Sequence, residues 1–113
     1  MNIDIEVFNQ AELMRIAADD KEFVAELIVC FFEVIPAQVS KIHQAIIEQD
    51  APALVNNAHA IKGAAGNIRA EATSKAARKL EEIGKGGDLA TAPESLQMLE
   101  AELEKFSTSN HWN

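Results

Sequence analysis

The sequence predicts an all-α protein, an antiparallel up-down four-helix bundle with a short additional N-terminal helix. Three observations carry this expectation. The 113-residue chain is rich in Ala, Leu, Ile, Glu and Lys and holds five Gly, three Pro and no Tyr, a vocabulary that loses little rotamer freedom in a helix. Apolar residues recur every three or four positions through most of its length, the spacing of one helical face. The segments marked in this way are separated by short connections that carry capping residues, which places consecutive helices side by side and antiparallel. There is no convincing strand, internal repeat or low-complexity stretch. A single domain over residues 1–113 is expected, with its helical core at about 8–107 and a frayed C-terminal tail.

The first helix is expected from about Asn9, a capping residue, to Ala17, with Leu13 and Ile16 as apolar contacts. Asp19 or Asp20 starts a long second helix reaching about Gln49, whose stripe reads Phe23, Leu27, Phe31, Ile35, Val39, Ile42 and Ile46. Pro36 lies inside it and is expected to kink it or weaken a turn. Asp50 caps a third helix with Pro52 in its first turn, where a missing N–H costs nothing. Its seam is Leu54, Ala58, Ile61, Ala65 and Ile68. A fourth helix runs from about Glu71 to Ile83 on Ala72, Ala76, Leu80 and Ile83, and Gly84 with the Gly86-Gly87 pair stops it. Thr91 caps the last helix, from about Pro93, with Leu96, Leu99, Leu103 and Phe106 inward.

Charge and cysteine usage narrow the function classes. A net charge of -8 repels phosphate backbones, so nucleic acid is not an expected partner. Cys30 lies in an apolar run with no second cysteine, which fits a small buried hydrophobe in a reducing compartment. No signal peptide is expected from the first residues. The apolar run from Phe23 to Ile35 is too short for a membrane span and is interrupted by Glu26 and Glu33. A cytoplasmic protein without membrane insertion is the expectation.

Chemistry concentrates on the third helix. With its seam set at zero and about 100° per residue, Lys62 falls at roughly 80°, Gly66 at about 120°, His59 at about 140° and Gly63 at about 180°. One flank therefore carries a histidine, a lysine one turn on and two glycines, and this flank faces water. A glycine inside a helix costs about 1 kcal/mol relative to alanine, and packing gains least on an exposed flank. Steric clearance around the imidazole for a large partner explains both glycines better than close helix packing.

A neutral imidazole is a good nucleophile near neutral pH. Attack on a phosphoryl group gives a phosphoramidate that remains reactive enough to pass the group on. Lys62 can neutralise part of the phosphoryl charge. The flank shows no general base, no Gly-rich nucleotide loop and no carboxylate cluster for magnesium, so catalytic power is expected from a partner. A metal site fails on spacing, since no second ligand lies three or four residues from His59. Hydrolysis fails as well: Ser40 and Ser74 lack a recognisable base motif, and Cys30 is expected to be buried. His43 and His111 have no comparable surroundings and read as ordinary surface residues.

The stretch Ala58-His59-Ala60-Ile61-Lys62-Gly63-Ala64-Ala65-Gly66-Asn67-Ile68 resembles the signature of histidine phosphotransfer (HPt) domains: His, any residue, an aliphatic, Lys, Gly, then small residues. Helix order and lengths agree from about Phe8 to Phe106. The resemblance implies a phosphorylatable His59, a phosphate-neighbouring Lys62 and a clearance glycine at Gly63. It implies a carrier in a two-component phosphorelay that is not an enzyme and has no nucleotide site or cofactor of its own. Response-regulator receiver domains are the implied partners, and magnesium belongs to the receiver. Arg69 departs from the pattern, since many members have glycine there; it either extends the positive rim or is a plain surface residue. The family's docking surface is a mixed apolar face, and Val24, Ile28, Phe32 and Ile35 are the expected contributors here, unless the N-terminal helix covers them through Leu13 and Ile16. A monomer is expected. The alternatives are a non-phosphorylated adaptor bundle that binds a receiver or kinase, and the C-terminal phosphotransfer piece of a hybrid sensor histidine kinase.

Overall fold

A computed structural model describes residues 5–109. These form five α-helices and, among the described residues, no strand: α1 (Gln10–Ile16), α2 (Lys21–Ile47), α3 (Ala51–Asn67), α4 (Glu71–Gly86) and α5 (Ala92–Ser109). The starts follow the capping chemistry of the sequence. The Glu12 N–H donates to Asn9 Oδ1 at 3.1 Å, the Phe23 N–H to Asp20 Oδ1 at 3.0 Å and the Ala53 N–H to Asp50 Oδ1 at 3.1 Å, each satisfying a donor that the first turn leaves open.

The helix ends follow a second rule. At the exit of α1 the Asp19 N–H donates to the Met14 carbonyl at 2.8 Å, at α2 the Asp50 N–H to Ala45 at 2.8 Å, and at α3 the Ala70 N–H to Ala65 at 2.9 Å. These are Schellman closures, which need one residue in the left-handed region. That residue is Ala18 (φ 54°), Gln49 (φ 55°) and Arg69 (φ 63°), and glycine serves only α4, at Gly87 (φ 82°). Gln49 Nε2 donates to the Ile46 carbonyl at 3.0 Å and an Arg69 guanidinium N–H to the Gly66 carbonyl at 2.8 Å. Both long side chains fold back on their own helix end. The methyl of Ala18 offers nothing of the kind.

Packing runs around a ring. α3 meets α4 most extensively, α2 packs on α3 and α4 on α5, and a sparser α2–α5 contact closes the circle. The α3 seam Leu54, Ala58, Ile61, Ala65 and Ile68 is buried throughout. Phe106 on α5 sits within 5.0 Å of Phe8, 5.6 Å of Phe31 and 5.2 Å of Phe32, ring centre to ring centre, an aromatic cluster that ties the segment before α1 to α2 and α5. The Asn9 N–H donates to the Arg69 carbonyl at 2.9 Å, and the Ala72 N–H to Glu6, so the same segment also holds the α3–α4 turn.

Several sequence expectations are corrected. The buried stripe of α2 is Val24, Ile28, Phe31, Ile35, Ile42, Ala45 and Ile46; Phe23 is exposed and Leu27 and Val39 are only partly buried. An all-round apolar segment has no unique face, and tertiary packing selects one. Ile16 is exposed, so only Leu13 of the first helix is buried. Cys30 is exposed, not buried. Pro36 lies inside α2, as expected. α4 continues to Gly86 and buries Thr73, Ala77, Leu80, Glu81 and Gly84, one position on from the expected Ala72 and Ala76. α2 has the expected length, but the helix as a whole, unlike its apolar run alone, could by length and composition cross a membrane; its Val24, Ile28 and Ile35 are buried among other helices. His111 lies outside the described residues.

Ala18→Gly removes a left-handed alanine that costs about 1 kcal/mol. Urea unfolding is expected to show the variant more stable by about that amount, and an unchanged or lower midpoint would refute a strained α1 exit.

Candidate functional site

α3 and α4 meet through small residues. A Cβ added to Gly84 would come within 2.7 Å of Val55 Cγ2 and 3.3 Å of both the Ala51 carbonyl oxygen and the Val55 nitrogen. Gly84 is therefore a close-approach glycine inside α4, not the helix stop the sequence suggested. Near the other end of α3, Ser74 Oγ donates to the Lys62 carbonyl at 2.9 Å. Between these two ties the helices bring one carboxylate, Glu81, against the flank of α3.

Glu81 organises three basic side chains. Its Oε2 lies 2.8 Å from His59 Nδ1, its Oε1 accepts from Lys62 Nζ at 2.7 Å, and Lys85 Nζ stands 3.7 Å from Oε2. The Glu81 side chain is 5% exposed, that of Lys62 29% and that of His59 66%. Burial costs a carboxylate dearly unless it is paired, and here it is paired on both oxygens. The Lys62 hydrogen bond holds the Glu81 carboxyl at about 2, against the opposing pull of burial and with added help from His59 and the charge of Lys85. Glu81 is thus ionised throughout the neutral range.

An ionised carboxylate can only accept. In the neutral imidazole, Nδ1 of His59 therefore carries the ring proton and Nε2 the lone pair, on a side chain that is two-thirds open to solvent. The arrangement offers a tautomer-fixed nucleophile with a lysine beside it. It is a poor place for a metal ion, because the central carboxylate is already surrounded by three basic groups. Among the described residues no cluster of three or more His, Cys, Asp or Glu stands elsewhere in the molecule.

The remaining sequence candidates divide. Gly63 is exposed and an added Cβ would meet nothing within 4 Å. Gly66 instead turns toward α4, where an added Cβ would make ordinary contact with Ser74 Oγ at 3.7 Å, so clearance does not explain it. Arg69 folds back on the α3 terminus and does not join the cluster; its φ of 63° is a left-handed conformation that glycine adopts most freely. Val24, Ile28 and Ile35 are buried at 0%, 3% and 4% exposure, and Phe32 is partly buried and stacked on Phe106. Val24, Ile28 and Ile35 form core, not a free patch. The apolar surface of α2 includes Phe23, Val29, Cys30 and Val34, with Ile47 at its far end, and a shallow depression of about 220 Å³ between α2 and α3 is lined by Leu27, Cys30, Val34, Ala64 and Asn67. His43 is exposed on α2.

Glu81 was not among the candidates of the sequence. The available signal was its place on the buried face of α4, four residues after Ala77 and three before Gly84, where an acid needs a partner.

Comparison with known proteins identifies the family and the fold. The Hpt domain family model matches residues 26–109. The fold is similar to the crystal structure of histidine-containing phosphotransfer protein B (HptB) from Pseudomonas aeruginosa PAO1, with a TM-score of 0.78 and 27% identity over 94% of this chain and 88% of that one. A search of curated proteins gave no match.

The pairing of Glu81 fixes a pH signature. Its folded-state value lies below the ordinary 4.5, so the stabilisation is complete above about 4.5 and is lost as pH falls toward about 2. Glu81→Gln is expected to lower the urea midpoint at pH 7 and to flatten its decline between those limits; a parent-like acid limb in the variant would show that the pairing contributes nothing.

Proposed function

The chain belongs to the Hpt domain family, and on that premise we propose that it carries a phosphoryl group on His59 in a two-component phosphorelay. The supporting observation is the buried Glu81 carboxylate, which takes Nδ1 of His59 and leaves Nε2 facing outward. The reading includes an antiparallel up-down bundle, in which the short turns at 48–50 and 68–70 reverse the chain between neighbours.

The Nε2 lone pair attacks the phosphorus of a receiver aspartyl phosphate, the P–O bond to the aspartate breaks and the carboxylate leaves. The imidazole becomes an Nε2-phosphorylated cation that still holds its Nδ1 proton, and Glu81 sits 2.8 Å from that nitrogen to balance the charge. Onward transfer reverses the step: a second receiver aspartate attacks the phosphorus, the P–N electrons return to Nε2, and the ring is neutral again with its proton in place. No proton has to move in either direction. Lys62 can turn from Glu81 to the phosphoryl oxygens, with Lys85 left near the carboxylate. In-line geometry comes from docking, and the magnesium of the reaction belongs to the receiver.

The docking face we propose is the apolar surface of α2 at Cys30 and Val34 with the adjoining Ala64 and Asn67 of α3, replacing the buried Val24, Ile28 and Ile35. Gly63 keeps the approach to His59 open. The same chemistry serves a cytoplasmic monomeric carrier or the phosphotransfer segment of a hybrid histidine kinase. Nothing in the geometry favours a non-phosphorylated adaptor, since such a role has no use for the His59–Glu81–Lys62 arrangement.

Incubation with a phosphorylated receiver is expected to add one acid-labile, base-stable phosphoryl group, absent in His59→Gln although that variant keeps its helical circular dichroism. Failure of the folded parent protein to label with several receivers would sink the carrier reading. The glycines separate further. Gly63→Ala and Gly66→Ala should each stabilise α3 by up to about 1 kcal/mol, while only Gly63→Ala slows transfer; equal transfer rates in the two variants would remove the clearance role of Gly63.

A further inference from the structure

The ring of helices is unevenly closed. α2 and α5 touch more sparsely than α3 and α4, and their seam opens into two successive depressions of about 410 and 390 Å³ that share Glu100. The floor is apolar, with Phe32, Val39 and Leu103 in one half and Ile46, Ile47 and Leu96 in the other. From Phe32 to Ile47 the groove follows α2 for about 22 Å, the length of a four-turn helix.

Its charge has one sign. Glu100 stands at the junction of the two halves and Glu104 one turn further along α5. Neither takes part in an ion pair among the described residues. Among the described residues no Lys or Arg lines either half, and His43 is the only basic side chain there. Pro36, on the groove wall, has no N–H to give the Phe32 carbonyl, so an acceptor is left without its usual helical donor beside the apolar floor. The net charge of -8 draws cations toward the whole molecule.

We infer that the α2–α5 seam seats a cationic amphipathic helix of a protein partner, with apolar side chains in the groove and Lys or Arg against Glu100 and Glu104. In the ring of contacts this seam lies opposite the α3–α4 seam that holds His59 and Glu81. A partner bound here leaves His59 free, so the surface acts as a tether and not as an inhibitor.

The test uses the ¹⁵N-labelled full chain and a synthetic fifteen-residue amphipathic helix of Leu and Lys, with a Leu/Glu helix of the same pattern as control. Expected shifts centre on Val39, Leu96 and Leu103, the Leu/Glu peptide binds at least tenfold more weakly, and the folded Glu100→Lys/Glu104→Lys variant loses at least tenfold in affinity. Shifts centred on α3–α4 or spread over the acidic surface would overturn the inference. So would equal binding of the two peptides, or a self-associated protein in which a second copy already fills the groove. Phosphoryl transfer from a receiver, measured with the peptide bound, is expected at its normal rate; inhibition would overturn the tether role. The peptide titration needs no phosphoryl group, so its outcome is separate from that of the His59 labelling experiment.

Discussion

The two oxygens of Glu81 hold the molecule's chemistry and a good part of its architecture in one place. One faces His59 and Lys85 and the other Lys62, so a side chain of α4 fixes the orientation of two side chains of α3. A carboxylate this deeply buried would be expelled or protonated if its basic partners, Lys62 above all, were absent. The close approach at Gly84 and the Ser74 bond to the α3 backbone set the interhelical spacing that the bridge requires. Fold and site are coupled through that spacing: the glycine lets the backbones meet, and the meeting brings the acid within reach of the imidazole.

The chemical logic is economical because the protein supplies orientation and counter-charge and little else. A histidine on an exposed helix is free to rotate and to exchange tautomers. Pinned through Nδ1, it presents one nitrogen only, and in the proposed carrier role the proton it keeps would prepare the ring to leave as the phosphoryl group moves on. The surrounding cations limit the negative charge that would build up as a phosphoryl group approaches a chain of net charge -8.

Much of this was legible in the sequence where one residue's role is set by its own helix. The α3 seam, the caps Asn9, Asp20 and Asp50, and the shared flank of His59 and Lys62 all follow from spacing within a single element. What was not legible depends on two elements at once. Glu81 is 22 residues from His59, and no local pattern reveals that they touch. Gly84 looks like a helix stop because a glycine that ends a helix and one that admits a neighbour are identical in sequence. The face of α2 was misassigned near Phe23 and Val24 because an apolar residue at nearly every position leaves periodicity with nothing to select. Cys30 followed the same error to the surface.

The uneven closure of the bundle sets an order of opening. Sub-global unfolding starts where the fewest contacts must be broken; within the ring of helices from α2 to α5 that is the α2–α5 seam beyond its Phe31–Phe32–Phe106 cluster, not the α3–α4 pair. α5 can part from α2 while α3 and α4 stay zipped by their small residues, so transient breathing spares the imidazole and its carboxylate. Amides of the α3–α4 hairpin are then the slowest to exchange with solvent, and the reactive centre rides on the most persistent unit of the fold.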